Sequence, residues 1–218
     1  DAYGVDAPLH VGTLGLKGTL GVVDLLTGEA NPSGRLVDTF ATSAVSSAAV
    51  QTWYDQSFTN TTYENDVAYV AGQPVSNAGA ENYMILTEGI YTGYKYYETR
   101  YEDAVLDRYN ATSEIGSMSG AWNYANEMVY PFGYGLSYTT FSQTLDSVTG
   151  FNSDTITVTV TVRNTGATAG RSVVQVYAQT PYGDYEIEHG VEKSAVQLVG
   201  FGKTGELASG ASETVTIE

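Results

Sequence analysis

The chain reads as an α/β segment followed by an all-β one. It resolves into the remnant of a doubly wound α/β domain over residues 1–130, then a β-sandwich over residues 131–218 that lacks its last strand. Three observations predict this order. Apolar residues recur at helical spacing between two short strand-like runs near the start. Apolar and polar residues alternate strictly from Ile156 to Val162. Further short runs follow, separated by glycine-marked turns.

The elements follow in order. Ala7-Pro-Leu-His-Val11 is an apolar strand ending at Gly12. Leu16, Leu20, Val23 and Leu26 then share a helical face, and Gly28 is placed to cap the helix. Asn31-Pro32 and Ser33-Gly34 make a turn, and Leu36 to Phe40 starts a second strand. Strand, helix and strand imply a parallel crossover. One such unit cannot cover both faces of a sheet, so the reading is the tail of a larger domain whose earlier strands lie outside the chain. The opening Asp1, with no initiator Met, agrees with a cut inside a longer polypeptide.

Residues 41–80 are polar and weakly patterned, an irregular excursion. Met84 to Tyr97 is aromatic and β-prone, punctuated by Gly89 and Gly93. Residues 107–127 read as another loop. The character then changes. Strands are expected at 155–162, 172–179, 195–201 and 213–218, with Asn164-Thr-Gly166 turning the first into the second. A complete sandwich of this type takes about 100 residues, more than follow Phe141. That shortfall is why the last strand is expected to be missing.

Composition narrows the function. The chain holds 25 Asp and Glu against 9 Lys and Arg, a net charge of −16. So acidic a surface repels phosphate backbones and anionic lipids, which argues against nucleic-acid and membrane partners, while neutral sugars are indifferent to it. No cysteine is present, which excludes disulfides, thiol catalysis and thiolate metal sites.

Three segments carry candidate polar sites. Gly12-Thr-Leu-Gly15-Leu-Lys-Gly18 sits where a phosphate loop would, but it matches neither the dinucleotide nor the Walker spacing. It reads as a glycine turn that lets helix and strand approach closely. Two acidic groups stand out: Glu98, Glu102 and Asp103 around Arg100, and Asp184, Glu186 and Glu188 beside His189. Glycoside cleavage needs two carboxyl groups about 5–5.5 Å apart for retention and about 6.5–9.5 Å apart for inversion. Neither group has the spacing of a calcium or zinc loop, and both read as solvated loops. With two histidines and no Gly-x-Ser-x-Gly elbow, a zinc centre and a serine triad are both poorly supported. No catalytic residue, metal site or cofactor is assigned.

Tyrosines give the best sugar-binding argument. Tyr91, Tyr94 and Tyr96 are the candidates, in a segment that also holds Tyr97 and Tyr101. A tyrosine ring offers an apolar face to a pyranose and a hydroxyl to its rim. Along a strand, Tyr94 and Tyr96 would share one face and Tyr91 and Tyr97 the other. Aromatics on both faces favour a segment packed between bodies over an open sugar platform.

Three runs carry a resemblance: Asn31-Pro-Ser-Gly-Arg-Leu36, Glu88-Gly-Ile-Tyr-Thr-Gly-Tyr-Lys-Tyr-Tyr-Glu-Thr99 and Pro131-Phe-Gly-Tyr-Gly-Leu-Ser-Tyr-Thr-Thr-Phe141. Together they closely resemble the C-terminal signature of glycoside hydrolase family 3, the β-glucosidases and their relatives. The resemblance covers nearly the whole chain. It implies the end of an α/β-sandwich domain followed by a fibronectin type III-like domain. It departs at Lys95 and Thr92, where arginine and valine are usual, and in the long 103–127 loop. Relatives hydrolyse β-linked glucosides or xylosides with retention, using an aspartate nucleophile in a barrel domain and a glutamate acid/base. Neither maps onto a residue here. The resemblance therefore implies a structural portion of a β-glucosidase-type enzyme, inactive alone, whose partners are the parent's remaining domains. The other reading is a stand-alone carbohydrate-binding or adhesion module.

Overall fold

In a computed structural model, the described residues are 8–47, 49–50, 56–57, 68–70, 73–75, 82–83, 88–104 and 122–218. Helix α1 is Gly18–Thr27. Strand β1 (Phe40–Ala41) precedes a 3₁₀ turn at Ala44–Ser46. Four short strands follow, β2 (Gln56–Ser57), β3 (Ala68–Val70), β4 (Gln73–Val75) and β5 (Asn82–Tyr83), pairing β2 with β5 and β3 with β4. Helices α2 (Tyr94–Ala104) and α3 (Tyr124–Glu127) lead to β6 (Met128–Tyr130), which pairs antiparallel with β1. The last part holds β7 (Phe141–Thr149), β8 (Thr157–Asn164), β9 (Val173–Gln179), α4 (Asp184–His189), β10 (Val196–Lys203) and β11 (Ser212–Ile217). The chain divides into two units: residues 1–35, 134–177 and 198–218, and residues 36–133 and 178–197.

In the first unit, β11, β8 and β7 form an antiparallel sheet with β8 central, and β9 pairs with β10 in a second. From Val158 to Val162 the alternation read from the sequence is the burial pattern, while Ile156, expected on the same face, lies before β8 and is exposed. Val158, Val160 and Val162 point into a core shared with Val174, Leu207, Val215 and Ile217. A Cβ on Gly200 would fall 2.5 Å from Ile217 Cγ2, and one on Gly202 2.5 Å from Val215 Cγ1. These glycines thus let β10 approach β11. The turn after β8 is held by fully buried Asn164. Its Oδ1 accepts from Thr139 Oγ1 at 2.7 Å and from the Gly166 N–H at 3.1 Å. Its Nδ2 donates to the Thr168 and Leu207 carbonyls. All the capacity of this amide is used, as burial requires.

The four strands expected after residue 150 are present, each within three residues of its expected limits. The sequence reading missed β7. Its register shifts between Leu145 and Ser147, a bulge that resets the two-residue phase. Phe141 and Val148, of opposite parity, therefore both pack on the core. A strict period-2 pattern cannot show such a strand.

The helix at 16–26 is α1, and Gly28 caps it at φ +82° with its N–H donated to the Leu25 carbonyl. The flanking strands fail as expected. Residues 8–14 belong to none of the described sheets, with residue 7 outside the described set. Of the 36–40 run only Phe40 enters a ladder, followed there by Ala41, and the pairing is antiparallel. Among the described residues no parallel crossover is formed. A strand needs a neighbour for its backbone groups, and no local pattern supplies one. Gly12 and Gly15 also correct the turn's rationale. Both have open space around an added Cβ, and their φ of +55° and +61° is what requires glycine.

The aromatic run expected as β-prone over 84–97 becomes helical from Tyr94; residues 84–87 lie outside the described set. Lys95, Glu98, Arg100 and Glu102 are good helix formers, and they outweigh the β-preference of the rings. The Asp184–Glu188 run, expected as a loop, is helix α4. Of the 107–127 loop, residues 107–121 lie outside the described set, and 124–127 form one helical turn. Among the described residues, no helix is long and apolar enough to cross a membrane.

Candidate functional site

The polar and aromatic side chains singled out in the sequence gather on α2 in the second unit. Glu88 accepts from the Tyr91 N–H at 2.9 Å, and Gly89 and Gly93 take φ near +55° on either side of Tyr91. This turn delivers the chain to α2. On a helix, Tyr94, Tyr97 and Tyr101 lie at i, i+3 and i+7 and share a face. The face assignment made for a strand, with Tyr94 beside Tyr96, is therefore replaced.

Each tyrosine has its own neighbours. Tyr91 donates its hydroxyl to Glu192 Oε2, and burial together with that carboxylate pushes its pKa well above the usual phenol range. Tyr94 packs at a tilt of 32° on Phe132, with ring centroids 4.6 Å apart. Tyr96 meets Tyr97 edge to face at 5.1 Å. Tyr97 is buried, with its hydroxyl 3.4 Å from Ser46 Oγ. The three sugar-binding candidates thus do not form a single row of rings.

Glu98 Oε1 accepts from the Tyr124 hydroxyl at 2.5 Å. Burial holds its carboxyl above the ordinary glutamate range; the Tyr124 bond opposes this and Glu102 adds to it. Asp103 is raised too, chiefly by burial, with Arg100 opposing. Arg100 is buried, its guanidinium carbon 5.5 Å from the centre of the Trp122 ring. Tyr101 packs edge to face on Tyr124 at 5.0 Å. Glu127, at the end of α3, is 1% exposed. Glu98, Glu102 and Asp103 were expected in a solvated loop; instead they lie on α2, with Glu98 bonded to Tyr124.

The second acidic group separates by role. Glu186 is buried and accepts from Lys193 Nζ and from the Gly183 N–H at 2.8 Å, reaching back to the start of α4. The Lys193 bond, with the backbone bond from Gly183, lowers its pKa to about 2. Asp184 and Glu188, four apart, lie on another face of the helix and are exposed. His189 stacks on Tyr185 with centroids 4.3 Å apart. Ala195 N–H donates to Thr99 Oγ1 at 3.0 Å, a bond between α2 and the 178–197 segment that adds to the one from Tyr91 just before the helix.

A retaining pair needs one protonated and one ionised carboxyl facing the same sugar. Here Glu98 is engaged by Tyr124, and Glu186 by Lys193. Among the described residues no group of three His, Asp or Glu side chains converges as a metal site. Sequence reasoning missed Ser46, Trp122, Tyr124 and Glu127. The helical spacing of Tyr94, Tyr97, Arg100 and Tyr101 was the signal that could have pointed to the buried face they pack against.

No protein-family model matches the chain. It is 34% identical to β-glucosidase A of Butyrivibrio fibrisolvens over 93% of its length, and 31% identical to a β-glucosidase of Ruminococcus albus over 100%. It spans only 20% and 17% of those two proteins. Among solved structures, a β-glucosidase of Paenibacillus barengoltzii aligns over 92% of this chain and 16% of its own. The TM-score there is 0.62 and the identity 28%.

Proposed function

From the premise that this chain corresponds to a C-terminal portion of a β-glucosidase of the glycoside hydrolase family 3 type, we propose that it braces the catalytic barrel of a parent enzyme and performs no hydrolysis itself. The parent cleaves O-glycosyl bonds of β-linked glucosides or xylosides by a retaining two-carboxylate mechanism. One observation carries the reading: similarity runs through nearly the whole chain but spans about a fifth of each relative.

Residues 1–130 are assigned to the end of the parent's α/β-sandwich domain, and 131–218 to a fibronectin type III-like sandwich. The paired sheets with a common valine core support the second assignment. The neighbours of Tyr91, Tyr94 and Tyr96 support reading these rings as packing rather than as a sugar platform. The parent's remaining domains are the partner, and no cofactor is invoked.

The test compares the 218-residue chain with the full-length polypeptide encoded around it. The full-length protein is expected to release aryl aglycone from an aryl β-glucoside or β-xyloside, and the 218-residue chain none. Turnover by the chain alone at ordinary enzymatic speed overturns the reading. So does a saturable micromolar site for oligosaccharides on it in titration calorimetry.

A further inference from the structure

Between β9 and β10 the chain makes a crossover, Thr180 to Ser194, that closes on itself. The Thr180 hydroxyl donates to the Ser194 carbonyl at 3.3 Å and so joins the two ends. Inside, the Gly183 N–H donates to Glu186 Oε2 at 2.8 Å, and Lys193 Nζ donates to Glu186 Oε1. The Val191 N–H donates to the Glu186 carbonyl at 2.9 Å. Glu186 is thus held by both arms of its own crossover. Size and closure are those of an Ω-loop, a surface loop of roughly 6–16 residues whose ends meet. Its outside is bare. Asp184, Tyr185, Ile187, Glu188 and His189 are exposed, and among the described residues 181–193 only Glu186 is buried. A segment that buries no apolar side chain sits at the low end of local stability.

The loop is tied to α2 and the turn before it near its return end. The Tyr91 hydroxyl donates to Glu192 Oε2, with the Lys193 carbonyl 3.4 Å away. The Ala195 N–H donates to Thr99 Oγ1 at 3.0 Å. Ser194 and Ala195 are buried, whereas Glu192 is exposed. The return end is therefore the fixed point, and the Tyr91–Glu192 bond is open to water. Asp103 lies four positions after Thr99, on the same face of α2. Burial first, then the charges of Glu102 beside it and Glu192 on the loop, raise its pKa against the pull of Arg100. Like charges meet across the tie.

We propose that residues 180–194 form a strap that lifts from and closes on the Tyr91–Thr99 segment as one body, pivoting at Ala195 and latched by the Tyr91–Glu192 bond. The bonds within the strap keep its shape in both positions. A charge-assisted hydrogen bond is about twice as strong as a neutral one, so Tyr91 is the main hold and Asp103 a counterweight. Opening frees the Tyr91 hydroxyl and bares the peptide bond between Lys193 and Ser194. The strap goes beyond the functional reading above and does not depend on the parent's chemistry.

The test is native-state amide exchange of the 218-residue chain, read over residues 180–194 and compared with α2 and β8. Tyr91→Phe is expected to speed exchange of the strap about tenfold. Asp103→Asn, which removes the repulsion, is expected to slow it about two- to fivefold. Neither change should move α2 or β8. Trypsin cleavage after Lys193 under native conditions should follow the same order, fastest in Tyr91→Phe and slowest in Asp103→Asn. A strap that exchanges only at the rate of β8 overturns the proposal, because the loop would then open only with global unfolding. Equal loosening of β8 and the strap by Tyr91→Phe does the same. So does a strap indifferent to Tyr91→Phe, or one that Asp103→Asn speeds.

Discussion

Asn31 and Ser137, 106 positions apart, are joined by a 2.8 Å hydrogen bond from the serine hydroxyl to Asn31 Oδ1. The same oxygen accepts from the Tyr138 N–H at 2.8 Å, and Nδ2 donates to the Ala169 carbonyl at 2.8 Å. Four positions on, Arg35 donates to the Gly135 carbonyl. Two of the runs that carried the family resemblance, 31–36 and 131–141, are therefore one physical feature.

Asn31→Ala removes all three bonds. At about 1 kcal/mol each, net of water, the expected loss is about 2–3 kcal/mol. Asn31→Asp keeps the acceptor and should lose less. Urea denaturation followed by far-ultraviolet circular dichroism ranks the two, and equal losses would deny the acceptor its role.

Gly202→Ala places a methyl 2.5 Å from Val215 Cγ1. Overpacking of this kind costs about 1–3 kcal/mol. Combining it with Val215→Ala should recover part of the loss beyond additivity. A double-mutant cycle in urea measures that coupling, and a cycle that closes to zero removes the contact from the account.

Glu186 has a folded pKa of about 2 against an ordinary 4.5. Its contribution is present above pH 4.5 and disappears as pH falls towards 2. Glu186→Gln is therefore expected to weaken the fold at pH 7 and to flatten the acid limb between those values. Denaturation midpoints from pH 2 to 7 read this directly, and parallel curves for the two proteins would contradict it.

Glu98 runs the other way. Burial raises its folded pKa, so its contribution is complete below about 4.5 and is lost as pH rises through the folded value. Glu98→Gln keeps an acceptor for Tyr124. It should raise the urea midpoint at pH 8 and bring no gain at pH 4. In the full-length protein it should also leave kcat on an aryl β-glucoside within about twofold; a loss near the 10²–10⁴-fold scale of a missing acid or base would make Glu98 catalytic.

The sequence by itself determined the valine-rich strands, the Asn164 turn, and α1 with its Gly28 cap. Each rests on a local period or on a glycine that only a local conformation requires, and such signals survive without knowledge of neighbours. Tertiary structure alone decided the rest. Residues 94–104 carry rings that fit a strand and charges that fit a helix; packing against Trp122 and Tyr124 accompanies the helical outcome. The bulge hid β7, and among the described residues 8–14 pair with no strand. Acidic residues alike in sequence acquired opposite proton affinities, Glu98 through burial and Glu186 through Lys193. Burial, and a partner as distant as Tyr124 is from Glu98, are properties of the folded chain that no local pattern contains.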